Sequence, residues 1–178
     1  MTITEGSLKF EFPEYCITSK YDEWSHYRKQ FENKCSTGNK AIDFIAIEAN
    51  QTLWLCEIKD FRIGQRNPEK LPLEQEIALK VKDTLAGIVS AKFKANNPIE
   101  KNFAEESLKC KNIRIVLHIE QPDGIRQIYN LSDLKDKLKR LLKAIDPHVV
   151  ISTCLNQKYV PWTITESSNT PCPPSTTP

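Results

Sequence analysis

No run of apolar residues in this chain approaches the roughly 18 that a membrane-spanning helix needs. The opening Met1-Thr-Ile-Thr-Glu-Gly6 has neither a basic start nor an apolar core, so no secretory signal is expected. The six cysteines, at positions 16, 35, 56, 110, 154 and 172, include no CxxC pair, and His26, His118 and His148 show no zinc spacing. The cysteines are therefore read as reduced thiols of a cytoplasmic protein, with Cys56 packing as a small apolar residue. His118 reads as a satisfied sheet histidine rather than a catalyst. There is no GxxxxGK[ST] loop, no GxGxxG fingerprint and no GxSxG elbow, which leaves phosphate-loop, dinucleotide and serine-nucleophile chemistry without support. A net charge of +2 neither demands nor excludes a nucleic-acid partner; such a partner would need the basic residues gathered on one face.

What is present fits one ordinary domain. The chain has 178 residues, 39% of them hydrophobic and 27% charged, enough for a single core. That domain is expected over residues 1–165, with the Pro/Ser/Thr-rich stretch 166–178 expected to be disordered. No internal repeat or second domain is evident.

The most informative stretch is Ala41 to Asp60. Two apolar runs, Ala41–Ile47 and Leu53–Ile58, flank the polar segment Glu48–Thr52, which predicts a β-hairpin. With period-two alternation, Asp43, Ile45 and Ile47 share one face, as do Leu53, Leu55, Glu57 and Lys59. A turn centred near Asn50 sets Asp43 opposite Glu57. Like charges directly opposite on a sheet are unfavourable, and a hard divalent cation is the simplest relief. A metal, two acids and a lysine form a water-activating, phosphate-facing arrangement.

Asp43 followed by Glu57-Ile58-Lys59 resembles the signature of the PD-(D/E)XK nuclease superfamily, with Ile42 where the family more often has proline. The wording from Lys20-Tyr-Asp-Glu-Trp24 through Lys80-Val-Lys-Asp-Thr-Leu-Ala-Gly87 is similar to a group of uncharacterised bacterial proteins. The resemblance implies an α/β (α+β) fold with a mixed central sheet flanked by helices, a restriction-endonuclease-like core. It also implies a nuclease hydrolysing DNA phosphodiester bonds, as a homodimer or a subunit of a larger system. Asp43, Glu57 and the Ile58 carbonyl would hold Mg²⁺, with Mn²⁺ as the substitute, and Lys59 would orient the attacking water. Two other readings stand beside it: a non-catalytic nucleic-acid- or protein-binding module on the same fold, and a coincidental salt bridge within a structural sheet.

The rest of the chain is read around that site. Leu8–Phe12 alternates as a strand. Ser19 is placed as the N-cap of a helix through about Asn33, with Tyr21, Trp24, Tyr27 and Phe31 as its core stripe. Asp22 either completes that cap or, like Glu32, supplies an auxiliary acid to the metal. Arg62, Arg66 and Lys70 follow the hairpin in a basic loop, where Arg62 and Arg66 are candidates for holding phosphates. A long helix is expected from Leu73 to about Ala95, with a core stripe of Leu73, Ile77, Val81, Leu85, Ile88 and Val89. Lys80, Asp83, Thr84 and Gly87 share another of its faces, and Lys80 is either an exposed lysine or a third phosphate-holding residue. A short helix at Pro98–Leu108, a central strand at Asn112–Glu120, a helix at Leu131–Ile145 with a lysine-rich outer side, and a last strand at Val149–Leu155 complete the pattern.

Overall fold

The computed structural model describes residues 1–62, 67, 69–122, 124 and 127–166. Its elements, in chain order, are β1 (Thr2–Glu5), β2 (Leu8–Glu11), β3 (Cys16–Lys20), β4 (Phe44–Glu48), β5 (Thr52–Asp60), α1 (Leu73–Lys94), α2 (Pro98–Ser107), β6 (Asn112–Glu120), α3 (Leu131–Leu142), β7 (Val150–Ser152) and β8 (Thr163–Glu166). The mixed α+β class is as expected. Arg66, and the tail from residue 167 onward, lie outside the described residues, whereas Glu166 closes β8.

The main sheet has five strands in the order β3-β4-β5-β6-β7. The first three form an antiparallel meander, and β5, β6 and β7 run parallel to one another. Alternation in β4 and β5 divides the core in two. Ile45, Leu53 and Leu55 face a helical layer with Ile77, Val81 and Ile88 of α1 and Leu134 and Leu138 of α3. Phe44, Ala46, Trp54 and Cys56 face the opposite way, onto a second sheet of order β1-β2-β8, through Ile3, Phe10, Trp162 and Ile164. Both outer strands of that second sheet read Thr-Ile-Thr-Glu, so each sets one isoleucine into the core beside Phe10 of β2.

Several expected elements shift. No continuous helix starts at Ser19. That residue lies within β3, one before its end, and its Oγ accepts a hydrogen bond from Trp24 Nε1 at 2.7 Å. A single helical turn at Tyr21–Glu23 is broken by the extended backbone of Trp24, and a wide turn at Tyr27–Phe31 follows. The aromatic stripe is nonetheless core, because tertiary packing around Tyr21 takes the place of helical periodicity. The strand that pairs with β4 in the main sheet is β3, whereas the strand predicted over Leu8–Phe12 forms, as Leu8–Glu11, part of the second sheet. On α1, Val89 is exposed while Thr84, Gly87 and Ala91 are buried, since the helix beds its small-residue side against Tyr21.

Gly87 is required there. A Cβ at this position would lie 1.9 Å from the hydroxyl oxygen of the fully buried Tyr21. Alanine gains about 1 kcal/mol in helix propensity, but overpacking a core costs about 1–3 kcal/mol. Gly87→Ala should therefore lower the thermal midpoint, and Tyr21→Phe in the same chain should recover part of the loss. Calorimetry of the single and double variants checks this.

Candidate functional site

The turn of the hairpin lies where the sequence puts it. Glu48 pairs with Thr52 and Phe44 with Cys56, and Gln51 takes a positive φ of 64° to close the loop. The next step of that register brings Asp43, just before β4, alongside Glu57 in β5. Asp43 Oδ2 accepts a hydrogen bond from the Ile58 amide at 2.5 Å, which fixes the aspartate at the end of the hairpin. Glu57 is almost wholly buried beside it, at 1% side-chain exposure.

Two lysines close around this pair. Lys59 Nζ lies 2.8 Å and Lys80 Nζ 2.6 Å from the same Glu57 oxygen, Oε1. Lys80 also reaches to 4.0 Å from Asp43 Oδ1, and Lys59 to 3.3 Å from Glu76 Oε1. Lys80 is delivered by the face of α1 that carries Asp83 and Thr84. Those side chains accept hydrogen bonds from the Lys40 and Ile42 amides, at 2.9 and 3.1 Å. The helix face therefore positions both a cation and the segment leading into Asp43.

Three carboxylates, Asp43, Glu57 and Glu76, meet two ammonium groups. Glu57 Oε2 is buried with no hydrogen-bond partner among the described residues. Removal from water, then the neighbouring charge of Glu57, raises the Asp43 carboxyl to about 7 despite the nearby lysines. Burial works to lower the Lys59 ammonium, but Glu57, with Glu76 and Asp43, outweighs it and the group is held above its ordinary value. The cluster is a cationic cage that still leaves Glu57 Oε2 unsatisfied among the described residues. An orphaned buried oxygen beside a loosely held one fits a divalent cation, for which Asp43, Glu57 and the Ile58 carbonyl are the oxygen donors at hand.

Asp43 and Lys80 open onto a cleft of about 670 Å³, lined also by Asp22, Tyr27, Arg28, Glu32 and Lys40. Asp22 thus shares the cleft with Asp43. It caps no helix through its side chain, its Oδ1 is buried without a hydrogen-bond partner among the described residues, and burial raises its carboxyl. Arg62 is engaged elsewhere. Its guanidinium binds Asp60 at 2.6 Å, Glu166 and Ser7. Sequence reasoning missed Glu76, whose place beside Lys59 depends on how α1 docks, and the cleft contributions of Arg28 and Lys40. Among the described residues no helix is long and apolar enough to cross a membrane.

No family model matches the chain, and no solved structure matches it. The chain is similar to a cysteine–tRNA ligase of Neisseria meningitidis serogroup A, 43% identical over 172 residues. The match takes in 80% of this chain but only 24% of the ligase, so the chain spans a minor part of that curated relative's length. This similarity overturns the expected function. Identity at that level along most of the chain carries far more information than one aspartate and a Glu-x-Lys triplet, a pattern short enough to recur by chance. The expectation of a magnesium-dependent, DNA-hydrolysing endonuclease is corrected accordingly: the chain is similar to part of a cysteine–tRNA ligase.

Proposed function

We propose that this chain is an RNA-facing module related to a segment of a cysteine–tRNA ligase, and that its acid–lysine cluster contacts the phosphate backbone of tRNA. The observation that carries this reading is the paired carboxylates Asp43 and Glu57, with Glu57 Oε2 buried and unsatisfied among the described residues, caged by Lys59 and Lys80 beside an open cleft that Asp43 and Lys80 line. Asp43 and Glu57 would hold Mg²⁺, which when bound offers coordination sites to a phosphate oxygen. Lys59 and Lys80 hold Glu57 in place, and Lys80 presents positive charge to the cleft, where Arg28 and Lys40 add to it. Asp22 is placed to accept a hydrogen bond from metal-bound water or a ribose hydroxyl. A second basic hollow, lined by Arg114, Lys135, Lys139 and His148, offers further phosphate contacts.

The antiparallel β3-β4-β5 meander, the following α1 and the parallel β6 support a restriction-endonuclease-like scaffold. That kinship concerns the scaffold and the placement of its acids, not DNA cleavage.

The test is tRNA affinity with Mg²⁺ and with a chelator. Wild type should bind at least about tenfold more weakly in chelator, a difference of about 1.4 kcal/mol. Asp43→Asn should bind equally in both. Affinity should also fall steeply with added salt, because phosphate contacts release counterions. Wild-type binding indifferent to Mg²⁺, or no tRNA binding by a folded protein, would overturn the reading.

A further inference from the structure

On the opposite face of the main sheet a second group of ligating side chains comes together. His118 and Glu120 are two residues apart on β6, so both point toward the second sheet. β6 and β7 run parallel with His118 beside Ser152, and two residues further along each, just past the end of β7, Cys154 comes beside Glu120. The Cys154 amide donates to Glu120 Oε1 at 2.6 Å, 34 residues along the chain. One imidazole nitrogen, one carboxylate oxygen and the thiol sulfur all lie within 4.8 Å of one another.

The imidazole is the informative member. His118 is fully buried, with the edge of Phe10 at 5.3 Å between ring centroids. Its Nδ1 lies 3.1 Å from Ser152 Oγ, which fixes the orientation of the ring. Its Nε2 faces Glu120 Oε1 at 3.1 Å and makes no hydrogen bond of good geometry among the described residues. A buried nitrogen held in this way by its other ring atom is the usual arrangement of a ligating histidine. The surrounding charge also admits a cation. Asp60 lies opposite Glu120 in the β5–β6 register, and Glu166 is close by, whereas Arg62 binds both of those acids rather than Glu120.

We propose that His118 Nε2, Glu120 and Cys154 form a binding site for a borderline divalent transition metal of the zinc type, which ties the chain after β7 to the end of β6. Nitrogen, carboxylate and thiolate are zinc's ordinary donors, and three protein ligands leave a fourth position for water. The Cys154 thiol releases its proton to solvent as the metal binds, so the site is separate in position and in chemistry from the hard-oxygen cluster at Asp43 and Glu57. Spacing hides it in the sequence, because no Cys or His pair lies within a short loop.

The experiment titrates Co²⁺, as a spectroscopic stand-in for zinc, into the metal-stripped full chain. Wild type should show thiolate-to-Co²⁺ charge-transfer absorption saturating at one equivalent, and Zn²⁺ should displace it stoichiometrically. Cys154→Ser should lose the band. Glu120→Gln should keep it but bind at least about tenfold more weakly. Asp43→Asn should leave it unchanged, with circular dichroism confirming the fold in each case. A folded wild type that shows no band at one equivalent, or a band that survives Cys154→Ser, would overturn the proposal.

Discussion

Replacing Trp162 by alanine should destabilise the protein by about 3–5 kcal/mol, the usual cost of removing a buried large aromatic side chain. Trp162 is 2% exposed and joins the two sheets. Its ring lies 5.3 Å from Phe12 and from Phe44, and 5.6 Å from Trp54, between centroids. The residues between β7 and β8 contain little regular structure, so this ring, together with Ile164 and the Gln157–Ile164 hydrogen bonds, anchors β8 onto β2. Loss of the anchor should lower the urea midpoint and weaken the near-ultraviolet dichroism of the aromatic cluster together. The indole nitrogen has no hydrogen-bond partner among the described residues. Trp162→Phe should therefore cost less than about 1.5 kcal/mol, since only part of the volume and no satisfied bond is lost. Similar losses for the two variants would mean that the ring is not the anchor.

The second large effect is electrostatic. In the metal-free protein the Asp43 carboxyl is held at about 7, with burial as the main cause and Glu57 next. In the unfolded chain it titrates near the ordinary value of about 3.9. Between those values the native state keeps a proton that the unfolded state has lost, so stability falls as pH rises through this window. The full fall is about 4 kcal/mol, an upper bound because the side chain retains 19% exposure. Asp43→Asn cannot ionise and should be the more stable protein at pH 8 in chelator, while the two proteins converge near pH 4. Asp22, raised by burial, and His26, lowered by burial, titrate in both proteins and cancel in the difference. Urea unfolding of both proteins from pH 4 to pH 8 measures it. A constant offset between them would show that the carboxyl is not held protonated.

The hairpin was legible because alternation and turn position are local. The symmetry of positions 43 and 57 about Asn50 holds in the register, and the faces assigned to Ile45, Leu53 and Leu55 are those that meet the helices. Lys80 was legible as a candidate because α1 is long and regular, but its hold on Glu57 depends on how the helix docks. The segment from Cys16 to Phe31 was not legible. Its aromatic spacing imitates a helix, and only pairing with β4 makes its beginning a strand. The second sheet escaped notice because β1 and β8 are four residues each, too short for a periodic signal, and they meet across nearly the whole chain. The His118–Glu120–Cys154 group depends on the β6–β7 register, which no spacing rule reports. Function was the least legible of all. The acid and lysine pattern marked a cluster but not its use, while the similarity to a cysteine–tRNA ligase lies in residues spread through 80% of the chain.

The account rests on Asp43 and Glu57 being kept for a divalent cation, and a thermal melt of wild type at pH 8 against increasing Mg²⁺ tests that most directly. Binding to the native state raises stability by mass action, by about 2.7 kcal/mol at a concentration one hundred times the dissociation constant. Wild type should therefore show a saturable rise in melting temperature that Asp43→Asn lacks. A melting temperature indifferent to Mg²⁺, or a rise of equal size in both proteins, would contradict the account and leave the cluster as a set of buried salt bridges.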